Sequence, residues 1–285
     1  MHTRRIGDTD VRAIGLGGMP MSIEGRPDEA RSLATLHAAL DAGVTLIDTA
    51  DAYHRDADEV GHNETLIAKA LAGHDRGGDV LVATKGGHLR PGDGSWTLDG
   101  SPRHLREACE ASLRRLGVEA IGLYQFHRPD PKVPYAESVG ALRDLLDEGK
   151  IRLAGISNAD PAQIREANDI LGGRLVSVQN QFSPAFRSSE PELRLCDELG
   201  IAFLPWSPLG GISRAGELGS RFAPFARIAE RHGVSPQRVC LAWMLAKSPV
   251  VVPIPGASRP ETIRDSVAAA ELALTAEEIA DLDAV

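Results

Sequence analysis

Four protonatable side chains stand at the ends of short apolar runs. Asp48 closes Val44-Thr-Leu-Ile, and Tyr53 follows it by five residues. Lys85 directly follows Val80-Leu-Val-Ala-Thr, and His127 directly follows Ile121-Gly-Leu-Tyr-Gln-Phe. Taken singly, each has a structural explanation: a strand-end aspartate caps a loop, a lysine is solvated, a tyrosine is partial core, a lone histidine is structural. Taken together, they suit proton transfer to a carbonyl oxygen. A free tyrosine has a pKa of about 10, too high for an efficient acid near neutrality. A neighbouring ammonium favours phenolate and would lower that pKa, while a carboxylate would hold the ammonium in place. His127 would hydrogen-bond the substrate oxygen and orient it. None of these groups supplies a hydride, so a reduction here needs a cofactor.

The side chains converge only if the runs are neighbouring strands. Eight β-rich runs recur, at 13–17, 45–49, 80–84, 121–126, 151–156, 175–179, 201–206 and 250–254. Several are apolar without alternation, as parallel strands covered on both faces are. Helical periodicity lies between them, at 29–42, 102–116, 136–147, 161–171, after Ser189-Glu-Pro191, and at 260–270. Ser101 with Pro102 reads as a helix start, and Gly149 and Gly172-Gly173 as stops. Alternation of this kind means βαβ units. An open dinucleotide fold would want Gly-x-Gly-x-x-Gly after its first strand, but Gly15-Leu-Gly-Gly-Met-Pro20 ends in proline. The expectation is therefore α/β, a single (β/α)8 TIM barrel over residues 1–285. It carries a short N-terminal strand pair and extra helices, 225–231 and 236–247, near the C-terminus.

Long connections at 53–63, 86–100 and 207–222 leave the C-terminal ends of strands, where barrels build active sites. A formal net charge of −9 argues against nucleic acid or anionic membranes as partners. No signal-peptide or membrane-spanning stretch is present, and Cys109, Cys196 and Cys240 match neither a disulfide framework nor a metal site. A cytoplasmic protein with reduced, buried thiols, monomeric or a weak homo-oligomer, is expected.

Ile47-Asp48-Thr-Ala-Asp-Ala-Tyr53 resembles the Asp-Thr-Ala-x-x-Tyr motif of the aldo-keto reductases, and Gly61-His-Asn-Glu64 the Gly/Ser-x-Glu element that follows it. Lys85 and His127 match that family's lysine and histidine, and the resemblance runs from about Arg4 to the C-terminus. It implies NADPH/NADP+ as cofactor, a small-molecule carbonyl substrate, and Tyr53 as general acid with Asp48, Lys85 and His127. By resemblance, Ser157, Asn158 and Gln179 hold the carboxamide, Trp206 stacks on the nicotinamide, and Ser207-Pro208-Leu209-Gly210 clasps the pyrophosphate through backbone amides. Ile254, Gly256, Ala257, Ser258 and Arg259 resemble the adenosine-end motif, at a helix start where an arginine pairs with a 2′-phosphate. Thr262, Asp265 and Ser266 belong to the same end, although many relatives carry Gln or Arg, Glu and Asn there. Gly17, Met19 and Asp48 complete the cofactor contacts, and no metal is implied.

Met19, Tyr53, Trp96 and His127 are the candidate substrate contacts. The 86–100 segment, with His88, Arg90 and Trp96, reads as a mobile lid or a plain surface loop. It is similar to a loop of the pyridoxal reductase-like branch, which makes pyridoxal a candidate substrate, with Arg90 either paired to the ligand or free at the surface. His54 replaces the glycine common after the tyrosine, so it would crowd the pocket or alter the loop. A short 128–134 segment and a chain ending at Asp283-Ala-Val imply an open site accepting several aldehydes, ketones or sugars. Two other readings compete. One is an NADPH-binding redox sensor with little turnover; the other is a lyase using Lys85 as a Schiff-base nucleophile.

Overall fold

A computed structural model describes residues 2–285. Strands β1 (Thr3–Ile6) and β2 (Thr9–Arg12) pair antiparallel at the start of the chain. Gly7 between them has φ of 60°, and a Cβ there would lie 2.9 Å from Val176 Cγ1, so the turn needs glycine. Ile6 and Val11 from this hairpin join Leu46, Ala83, Leu123, Leu204 and Val252 in one apolar cluster. The hairpin thus plugs the barrel at the end where the strands begin.

The barrel strands are β3 (Leu16–Gly17), β4 (Leu46–Asp48) and β5 (Leu81–Gly86). After the paired segments β6 (His88–Leu89) and β7 (Thr97–Leu98) come β8 (Ile121–Phe126), β9 (Ile151–Ser157), β10 (Leu175–Gln179) and β11 (Ala202–Phe203). Their parallel order is β11-β10-β9-β8-β5-β4-β3. The eighth predicted run closes the ring through bridges, Phe203 to Val251 and Gly17 to Gly256. Gly15 N donates to Pro253 O at 2.9 Å, and Val252 N to Phe203 O at 2.9 Å. Pro253 and Pro255 have no N–H, so they cannot complete a ladder. Gly17 is required at this seam, because a Cβ there would sit 2.9 Å from Ile254 O.

The outer helices are α1 (Glu29–Asp41), α2 (His62–Ala72), α3 (Pro102–Leu116), α4 (Tyr135–Asp147), α5 (Pro161–Ile170) and α6 (Glu190–Leu199). They continue with α7 (Leu218–Arg221), α8 (Ala223–His232), α9 (Pro236–Lys247), α10 (Pro260–Val267) and α11 (Ala276–Asp283). Ser101 caps α3 by accepting from His104 N, as its position next to Pro102 predicts. The expected helix 260–270 divides into α10 and a tighter turn over Ala268–Glu271. Helices α2, α7 and α11 were not expected. In α2 the buried face includes the polar Asn63 and Glu64, which breaks its apolar periodicity. All three cysteines are free and buried, and no helix among the described residues is long and apolar enough to cross a membrane.

Candidate active site

Parallel strands deliver their C-terminal residues to one rim. In register, Asp48 on β4 faces Ala83 on β5, and Lys85 on β5 faces Gln125 on β8. Side chains two residues apart on a strand share a face, so Gln125 and His127 point the same way, as do Ser177 and Gln179. The barrel therefore focuses polar groups from three other strands on Asp48. Its Oδ1 accepts from Lys85 Nζ at 2.6 Å, and its Oδ2 accepts from Gln179 Nε2 at 2.7 Å and Gln125 Nε2 at 3.3 Å.

Lys85 is fully buried and all three of its N–H bonds are used, on Asp48, on Thr49 O at 2.7 Å, and on Tyr53 Oη at 3.0 Å. Burial works against its charge, but Asp48 and Tyr53 outweigh that, and its pKa is raised. Because Tyr53 Oη accepts from an ammonium, its own hydrogen is left to face the cavity that Tyr53 lines. Burial raises the Tyr53 pKa, and the Lys85 charge offsets only part of that rise. The expected net lowering is corrected: Tyr53 is held as a neutral phenol carrying its proton.

The His127 ring stands edge-on to Tyr53, with centroids 5.8 Å apart. Burial, together with the Lys85 and Arg128 charges, lowers its pKa well below the usual value, so it is neutral. Its Nδ1 is buried without a protein partner. His127 O accepts from Asn158 Nδ2 at 3.0 Å, and Asn158 also reaches Ser157 Oγ at 3.0 Å. Gln179 O in turn accepts from Ser157 Oγ at 2.7 Å and Asn158 N at 3.0 Å. Among the described residues, Asn158 is one of two non-glycine residues with positive φ, 58°, and the other is Ser207, at 50°. Both lie at strand exits, where the chain turns to present polar groups to the rim.

A cavity of about 700 Å³ opens above these groups. Gly17, Met19, Asp48, Tyr53, Trp96, His127, Ser157, Asn158, Gln179 and Trp206 line it, as do Ser207, Pro208, Leu209, Ile254, Gly256, Ala257, Ser258, Arg259 and Thr262. Gly210, Asp265 and Ser266 do not. Asp265 instead accepts from Arg238 Nη2 at 2.6 Å and Nε at 3.0 Å, and from Ser235 Oγ. Lys85 lies behind Asp48 and Tyr53 rather than on the cavity wall.

Sequence reasoning left His88, Arg128, Gly211 and Ile212 out of the candidate set, and all four line the cavity. The 86–100 segment is not a plain loop, because β6 and β7 pair as a hairpin. It packs His88 between Trp96, tilted with centroids 4.5 Å apart, and His127, edge-on at 4.8 Å. Burial and nearby Arg128 lower the His88 pKa to about 4. Arg90 is neither free at the surface nor open to a ligand. It is buried, donates to His54 O at 2.6 Å, pairs with Glu24, and lies 4.8 Å beneath the Trp96 ring. His54 does not line the cavity; its Nδ1 bonds Asp56 O at 2.8 Å, so it shapes the loop. Under the rim, Glu64 accepts from Thr84 and pairs with Arg115, beside a buried Asp51 whose Oδ1 has no partner.

The groups present fit a nicotinamide dinucleotide. The wall offers amide and hydroxyl side chains beside a tryptophan whose buried Nε1 has no partner. At the far end it offers Arg259, exposed and without a protein partner, at the N-terminus of α10.

The Aldo/keto reductase family model matches residues 13–285. An uncharacterized oxidoreductase of Schizosaccharomyces pombe is 35% identical over 99% of this chain and 89% of its own length. Among solved structures, a glycerol dehydrogenase from Gluconobacter oxydans superposes with a TM-score of 0.83 at 29% identity, covering 99% of this chain and 94% of that one. An aldo/keto reductase from Klebsiella pneumoniae, in complex with NADP and acetate, gives 0.82 at 28% identity over the same shares of the two chains.

Proposed function

The chain belongs to the aldo/keto reductase family, and from that premise we propose that it reduces small aldehydes and ketones to alcohols with NADPH. One observation carries the reading: Lys85 donates to Tyr53 Oη, so the phenol proton is free to leave toward the cavity. NADPH supplies the hydride that these side chains cannot. Ser157, Asn158 and Gln179 would hold its carboxamide, Trp206 would stack on its ring, and the 207–210 backbone would meet its pyrophosphate. Arg259, with Ser258 and Thr262 beside it, would pair with a 2′-phosphate, which favours NADPH over NADH.

Neutral His127 orients the substrate oxygen toward Tyr53, which hands over its proton as negative charge develops there. Lys85 then stabilises the phenolate that remains, and Asp48 keeps Lys85 charged and aimed. A Schiff-base lyase is disfavoured, because Lys85 is protonated, fully bonded and off the cavity wall.

Stopped-flow NADPH oxidation against matched aldehydes, ketones, sugars and pyridoxal tests the proposal. Repeated turnover with at least one carbonyl class is expected. A single slow oxidation with retained cofactor, whatever the carbonyl, would instead favour a redox-sensing subunit.

A further inference from the structure

The wall around the tyrosine carries two arginines in opposite situations. Arg90 is buried, and its two Nη groups are held by His54 O and Glu24. Arg128, the residue after His127, is half-buried on the cavity wall and has no hydrogen bond or ion pair. Burial alone lowers its pKa, with no carboxylate offsetting the cost. The nearest acid in sequence, Asp130, is committed elsewhere: it accepts from Gly100 N at 3.0 Å and Lys132 N at 2.9 Å. The first bond ties the turn after β8 to the start of α3, and the second closes the turn itself, fixing the backbone from which Arg128 projects. Its charge acts on His88 and His127, which puts it on the tyrosine side of the cavity rather than at the Arg259 end.

A half-desolvated guanidinium without a counter-ion favours an oxyanion beside it, even in a chain of net charge −9. We infer that Arg128 binds a carboxylate on the substrate and so selects carbonyl compounds that bear one. A single cation beside a neutral His88 balances one negative charge, which favours a carboxylate over a doubly charged phosphate. This rests on the proposed reductase reading for its kinetic arm, but not for its binding arm.

4-Formylbenzoate and its methyl ester share the ring and the aldehyde and differ in charge. The wild-type protein should show a KM about tenfold lower for the acid than for the ester, at similar kcat, the scale of one charge-assisted contact. Arg128→Gln should bring the ratio of the two KM values to near one, and Arg128→Lys should restore part of it. Binding of both compounds to the NADP+-loaded protein, followed by tryptophan fluorescence, should show the same Arg128-dependent preference. That preference in binding without turnover of either aldehyde would leave the anion subsite standing and count against the reductase reading for aromatic aldehydes. Equal wild-type affinity for acid and ester, or a preference that Arg128→Gln leaves intact, would overturn the inference.

Discussion

Gln179 and Asp48 are joined by a 2.7 Å hydrogen bond, from the amide of one to the carboxylate that holds Lys85. They lie 131 residues apart in sequence. The bond uses one end of the Gln179 amide and leaves its oxygen free to meet the carboxamide of the proposed cofactor, so in that reading one side chain serves both cofactor binding and the proton-transfer chain. Gln179→Met should therefore weaken NADP(H) binding and reduce kcat together, each by roughly tenfold. Titration of NADPH fluorescence alongside steady-state rates checks this. Loss of binding with an unchanged kcat would show that the link to Asp48 does not matter.

Removing Lys85 exposes how the carboxylate depends on it. Both side chains are almost completely buried. Breaking a buried ion pair from one side costs about 3–5 kcal/mol, because the remaining charge is stranded. Lys85→Met should lower the unfolding free energy measured in urea by that order, and Asp48→Asn added to it should recover part of the loss. A double variant no more stable than the single one would argue against a stranded Asp48.

Asp51 gives the fold a pH dependence. Burial, and next the Glu64 charge, raise its pKa to about 8. The native state thus binds a proton that the unfolded chain has released above about pH 4. The sign follows: this contribution is complete below about pH 4 and is lost as pH rises through about 8. Asp51→Asn cannot ionise, so its stability relative to wild type should improve between pH 5 and pH 8. Chemical denaturation at both values measures it, and a constant difference would contradict a protonated Asp51.

Arg259→Glu tests the phosphate end of the cavity. The variant should raise the KM for NADPH by about tenfold or more while changing that for NADH little or in the opposite direction. An unchanged preference for NADPH would remove Arg259 from the explanation.

The strand ends were legible because the apolar runs stop near polar or glycine residues, and a barrel brings such stops together. The proton-transfer set followed from Asp48, Lys85 and His127 ending three successive parallel strands. Gln125 was less visible, since an apolar run gives no sign of which face looks inward. Counting back two from His127 would have found it. Arg90 and Arg128 look alike in sequence, and only the fold pairs one with Glu24 while leaving the other unpaired. Asp265 was equally opaque: its partner Arg238 lies on a different helix, 27 residues away.

The measurement that bears most directly on the central claim is the rate of carbonyl reduction by Tyr53→Phe. The variant removes the oxygen that accepts from Lys85 and the hydrogen that faces the cavity, and little else. NADPH should bind it with near wild-type affinity, while kcat should fall by about a hundredfold or more, the range for loss of a positioned acid. Near wild-type turnover by Tyr53→Phe would contradict the account, because the proton would then come from another group.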